Sequence, residues 1–157
     1  VLTFLVGGER FGIDILCIKE IIEFGRPTPV PMMPAFLRGV INLRGTVVPV
    51  IDLAARFGRV QAVVGKRTCI VIVEVPNGGR ARDVGVVVDA VCEVVDIPDA
   101  DIGPVPELGT GVRPDFISAM ARDGDGFVML LDTSAVLSVA EMADLVARGQ
   151  LDREQAA

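Results

Sequence analysis

Short apolar runs, broken by Gly, Pro and Asp, fill most of the chain before residue 132. Leu2, Phe4 and Val6 alternate with their neighbours, and Gly7-Gly8 then turns the chain into a second run over 11–15. Further runs fall at 18–24, 37–43, 46–52, 69–75, 84–88, 91–97, 116–120 and 127–131. Nearly all are rich in Val and Ile and bounded by turn residues, which predicts strands. The connections are too short for crossover helices, so the pattern reads as an all-β barrel or sandwich.

Two segments read as helical. Residues 53–57 suit one turn after a strand. Ser138-Val139-Ala140-Glu141 has the form of a capping box, and Val139, Met142, Ala143 and Val146 supply an apolar stripe that Gly149 ends. Residues 148–157 read as a polar, frayed tail. The prolines at 27, 29, 31 and 34 exclude a regular ladder and predict a stiff, extended, packed connector.

Composition narrows the chemistry. The 157 residues contain no His, Tyr or Trp, which removes the commonest general base and metal ligand. Apolar residues make up 51% and mean hydropathy is +0.55, so the chain is not disordered. A net charge of −6 with no long Lys/Arg run speaks against nucleic acid. Lys19 and Lys66 are the only lysines; the Arg excess suits either partner interfaces or a genomic base bias. Cys17, Cys69 and Cys92 sit in apolar contexts without C-x-x-C spacing, which predicts buried, reduced thiols and a cytoplasmic setting. No apolar run reaches membrane-span length, and no basic region precedes an apolar run at the N-terminus. Val1 is not an initiator Met, which leaves open residues before it or a longer parent chain.

Several motifs fail on inspection. Gly65-Lys66-Arg67-Thr68 lacks the glycine and hydroxyl that a phosphate loop requires, and Gly109-Thr110-Gly111 precedes no apolar helix. Asp123-Gly124-Asp125-Gly126 begins like a calcium loop but lacks its later ligands, and reads better as a hairpin turn. Met129 to Ala135 resembles the aspartic-protease loop, with Asp132 as its carboxylate and Ser134 where that motif has glycine. The competing reading is that Asp132 or Thr133 ends a strand and caps a helical turn.

The richest constellation runs from Phe36 to Leu53, FLRGVINLRGTVVPVIDL. It reads as two apolar strands around an Asn42-Leu43-Arg44-Gly45 turn, with Arg44 at the rim of an apolar surface. An Arg fork in such a surround suits a binding hot spot. This segment resembles the signature of the CheW family, the coupling proteins of bacterial chemotaxis. Phe11 to Ile21, Pro34-Ala35-Phe36, Val84 to Val95 and Ile102 to Glu107 follow in the family's order, over residues 1–147.

The resemblance implies two intimately joined five-stranded SH3-like β-barrel lobes with a short C-terminal helix. It implies no catalysis, metal or cofactor. Its partners would be the histidine kinase CheA and the cytoplasmic tips of methyl-accepting chemoreceptors, in arrays beneath the membrane. Carried over by motif, Ile18, Glu20 and Arg44 line a receptor groove between the lobes, joined by Gly39, Asn42 and Gly45; the kinase face is not placed. A CheW-like regulatory domain of a longer kinase or adaptor–receiver protein is the alternative.

Overall fold

The computed structural model describes residues 1–31, 33–77, 79–105 and 112–138. Eleven strands form two sheets among the described residues. The first joins β8 (Ala90–Val94), β1 (Leu2–Val6), β2 (Glu9–Ile13), β11 (Gly126–Leu131), β10 (Ile117–Asp123) and β9 (Ile102–Gly103), in that order. The second runs β3 (Ile18–Glu23), β6 (Cys69–Asn77), β7 (Arg80–Val88), β5 (Thr46–Asp52) and β4 (Leu37–Leu43). All ten expected strands are present. The count becomes six plus five because the two-residue β9 pairs with Met120 and Ala121, a stretch too short to show in an apolar pattern.

Some boundaries move. The second strand starts at Glu9 and ends at Ile13, since the Asp14 carboxylate accepts from Leu16 N at 3.0 Å and starts a 3-10 turn over Ile15–Cys17. The proline-rich connector is extended, yet Thr28 exchanges two backbone hydrogen bonds with Val40, of 2.8 and 2.9 Å. One helical turn, α1 (Leu53–Arg56), follows β5 as expected, and α2 (Thr133–Val136) follows β11. The helix expected beyond Ser138 and the tail at 148–157 lie outside the described residues, as do Gly109-Thr110-Gly111. The cysteine expectation needs correcting: Cys17 and Cys69 are half-buried, while Cys92 on edge strand β8 is exposed.

The two sheets repeat one unit. All six pairs of the β4–β5 hairpin recur eighty residues later in β10–β11: Leu37↔Ile51 becomes Ile117↔Leu131, and Leu43↔Thr46 becomes Asp123↔Gly126. The bulge after the first pair recurs too. Phe36 O accepts from Asp52 N at 2.7 Å, and Phe116 O accepts from Asp132 N at 2.8 Å. Each hairpin's second strand lies parallel to a strand from the opposite half of the chain, β5 to β7 and β11 to β2. Glycines stand at those crossings because the space is filled. A Cβ on Gly85 would lie 2.9 Å from Ile70, and one on Gly12 would lie 2.6 Å from Val1.

The halves therefore exchange hairpins, β6–β7 completing the second sheet and β1–β2 the first. The larger core spans both sheets, with Phe4, Phe11, Phe57 and Phe116 at its centre. A smaller core of Val48, Val50, Ile70, Ile72 and Val87 fills the other face of the second sheet. β6 thus serves both cores, Val71 and Val73 on one face and Ile70 and Ile72 on the other, which explains its unbroken apolar run. Arg56 ties the units together: its guanidinium lies over the rings of Phe116 and Phe36, at 4.7 and 5.3 Å, and its Nε donates to Val136 O at 2.8 Å.

Candidate functional site

β3 and β4 occupy opposite edges of the second sheet, yet Arg44 at the β4–β5 turn donates a hydrogen bond to Glu20 on β3. The sheet must therefore curl around the smaller core until its edges meet, and this ion pair closes one mouth of the curl.

Arg44 and Gly45 form the two-residue turn, with φ of 50° and 86°. Positive φ at both positions marks the turn type whose twist matches the flanking strands. Asn42 stabilises it by accepting from Gly45 N at 2.9 Å through its side-chain oxygen. Arg44 is the one non-glycine residue with positive φ among the described residues, a conformation that costs on the order of 1 kcal/mol. Its side chain is 74% exposed, whereas that of Glu20 is 26% exposed. The hydrogen bond to Glu20, reinforced by its charge, raises the Arg44 guanidinium further above its ordinary value, so the cation is permanent.

A bulge in β3 sets the neighbourhood. Ile18 pairs with Val73 but Glu20 with Ile72, so Lys19 is the extra residue. The slip turns Lys19 and Glu20 toward the same mouth. Lys19 Nζ donates to both oxygens of Asp83, at 3.0 and 3.2 Å, and lies 3.9 Å from Glu74. These contacts, the Asp83 hydrogen bond foremost, raise the Lys19 ammonium above its usual range. The mouth is consequently a mixed-charge cluster of Lys19, Glu20, Arg44, Glu74 and Asp83, not an Arg in an apolar rim.

The sequence-derived residues are only partly brought together. Glu20 and Arg44 pair with each other, and Asn42, Arg44 and Gly45 share the turn. Ile18, on the other side of the bulge, is half-buried against the larger core. Gly39 is buried with φ of 142°, and a Cβ there would lie 2.3 Å from Thr28 O; the backbone it admits is this chain's own connector. Lys19, Glu74 and Asp83 were missed. The charged run ending at Asp83 was visible in the sequence, but joining it to Lys19 required knowing that β6–β7 lies beside β3.

In the segment that resembles the protease loop, the structure gives Asp132 a folding role. Asp132 caps α2 by accepting from Ala135 N at 3.2 Å, as Asp52 caps α1 by accepting from Ala55 N at 3.2 Å. Asp123 to Gly126 is the tight turn of β10–β11, with Gly124 at φ of 60°. No group of residues able to hold a metal ion is found among the described residues.

Comparison with known proteins agrees with this architecture. The family model described as CheW-like domain matches residues 1–141. The chemotaxis protein CheW of Klebsiella aerogenes is 34% identical over 142 residues, covering 90% of this chain and 83% of its own length. That of Helicobacter pylori is 38% identical over 136 residues, covering 85% and 78%. Among solved structures, the scaffolding protein TtCheW from Thermoanaerobacter tengcongensis superposes with a TM-score of 0.75 at 34% identity, covering 83% of this chain and 86% of that one. Matched by its family model over most of its length, and sharing a third of its residues with these relatives, the chain belongs to the CheW family of chemotaxis proteins.

Proposed function

We propose that this protein is a non-catalytic cytoplasmic adaptor that couples the tips of chemoreceptors to the histidine kinase CheA. Family membership and the scaffolding description of the TtCheW relative support the adaptor class. The observation that carries the site is Arg44: highly exposed, held in a strained turn, and oriented by a carboxylate that occupies only part of its donor fork. Guanidinium offers five N–H donors, so a receptor carboxylate can bind beside Glu20 without displacing it. Glu20 fixes the fork in advance, which lowers the ordering cost of binding. Asn42 and Gly45 hold the turn that presents it.

The test is co-sedimentation of wild type and Arg44→Glu with a receptor cytoplasmic fragment and a CheA-type kinase. The variant should remain folded and bind receptor on the order of tenfold or more weakly, as losing a charged anchor does. Unchanged receptor binding by Arg44→Glu would remove Arg44 from the site.

A further inference from the structure

At the other end of β4 from Arg44, about 20 Å along the strand, the loop from Gly58 to Thr68 has an unusual construction. Its polar and small residues are tied down. Ala62 N donates to the buried Asp52 carboxylate at 3.0 Å, and Ala62 O accepts from Arg38, which itself pairs with Asp52 at 2.8 Å. Gln61 donates to Ala35 O at 2.7 Å, Arg59 pairs with Glu9 at 2.6 Å, and Gly65 N donates to Thr68 Oγ1 at 2.8 Å. Its valines are left out: Val60 and Val63 are 88% and 89% exposed, and Val64 is half-exposed. A loop pinned through buried polar groups while presenting branched apolar side chains is organised for contact.

Charge and shape indicate what it contacts. Arg56 is buried and Arg59 is paired with Glu9, but Lys66 and Arg67 are exposed cations on the loop, in a chain of net charge −6. Val64 forms one wall of an open groove of about 650 Å³, completed by Phe24, Arg26, Pro27 and Arg38. Both charged groups lining it are cations. Arg38 is committed to Asp52, whereas Arg26 has no ion pair among the described residues. A concave groove that sets Phe24, Pro27 and Val64 beside two guanidinium groups suits a protein segment carrying carboxylates and aliphatic side chains. A flat anionic membrane fits less well: the loop has none of the aromatic or leucine side chains that seat peptides in bilayers, and the protein's own charge opposes approach.

We propose that the 58–68 loop and the Phe24–Arg26–Arg38 groove form a second docking surface, separate from the Arg44 turn, for an acidic and aliphatic segment of a protein partner. Its carboxylate meets Arg26, with Lys66 and Arg67 adding longer-range attraction, and its aliphatic residues cover Val64, Phe24 and Pro27.

The probe is a labelled 14-residue amphipathic helical peptide of Glu and Leu, compared with its Lys/Leu counterpart and with phosphatidylcholine vesicles containing phosphatidylglycerol. Binding is followed by anisotropy for peptides and by sedimentation for vesicles, with circular dichroism confirming fold. The Glu/Leu peptide should bind saturably and weaken several-fold from 50 to 300 mM salt. It should lose on the order of tenfold in affinity with Arg26→Glu/Val64→Ser, and again with Lys66→Glu/Arg67→Glu. Arg80→Glu, on the distant β6–β7 hairpin, should change nothing. Absence of binding, equal binding by the groove variants, or equal or stronger binding of the Lys/Leu peptide or vesicles would overturn the proposal.

Discussion

The β4–β5 and β10–β11 hairpins share register, bulge, opening Phe–Asp hydrogen bond and closing Asp cap, yet differ at the turn. One turn is Arg44-Gly45; its counterpart is Gly124-Asp125. At the position of Gly39 the other hairpin has Ala119, and where Asp52 is buried with several partners, Asp132 is exposed. Charges at the two mouths are also reversed. Asp83 on β7 serves Lys19, whereas Arg10 on β2 meets Asp123 of the second hairpin at 2.9 Å. A shared scaffold thus carries two unlike surfaces. The residues that keep the scaffold recur at both places, and those that change are candidates for function.

The caps offer the largest contrast. The fully buried Asp52 carboxylate accepts from Arg38, Ala62 and Ala55, so Asp52→Ala should destabilise by about 3 kcal/mol, since it leaves the largely covered Arg38 and the Ala62 amide without their partner. Asp132→Ala should cost about 1 kcal/mol, the usual value of an exposed cap. Urea unfolding of both variants measures the gap, and equal losses would mean that the two caps are equivalent.

Next come the bulge positions. Gly39→Ala places a methyl against Thr28 O at an unfavourable φ and should cost at least about 2 kcal/mol. Ala119→Gly should cost less than about 1 kcal/mol. Loss of the Thr28–Val40 pairing in Gly39→Ala, read by hydrogen exchange of the Thr28 and Val40 amides, would locate the damage in the connector.

Turn residues sharpen the functional side. Gly124→Ala should cost about 1 kcal/mol, because alanine resists positive φ. Arg44→Gly relieves the same strain and forfeits only an exposed ion pair, so stability should change by less than about 1 kcal/mol while receptor binding falls. A large loss of stability in Arg44→Gly would make Arg44 a folding residue and undo its assignment.

The smallest effect concerns pH. Arg113 holds the Asp115 carboxyl below its usual range, chiefly through a direct hydrogen bond. A depressed carboxylate adds stability above its unfolded value, near 3.8, and loses it as pH falls through the folded value. Asp115→Asn should therefore narrow the stability difference between pH 5 and pH 2, through a small loss at pH 5 and at neutrality and none at pH 2. For Lys19 the sign reverses: its raised value adds stability that fades only as pH climbs past about 10.

Strands were legible in the sequence because their Val/Ile runs are bounded by glycine and aspartate. The two-sided burial of β6 leaves its trace in the apolar run over 69–73. The exchange of hairpins between halves was not legible, because pairing partners such as Gly12 with Leu130 are set by tertiary closure and leave no local pattern. Its trace was nevertheless present: Pro34-Ala35-Phe36 and Pro114-Asp115-Phe116 each precede an aspartate sixteen residues beyond the Phe. At the candidate site, Arg44 and its turn followed from composition and family pattern. The Glu20 pairing did not, since the bulge that turns Lys19 and Glu20 to one mouth depends on register with β6.

If Arg44 anchors the receptor, one hairpin turn binds it while its structural twin does not. Co-sedimentation with a receptor cytoplasmic fragment and a CheA-type kinase, comparing Arg44→Glu with Asp125→Arg, tests it most directly. Receptor binding should fall on the order of tenfold or more for Arg44→Glu and stay unchanged for Asp125→Arg, with both variants folded. Wild-type binding by Arg44→Glu, or an equal loss in both variants, would contradict it.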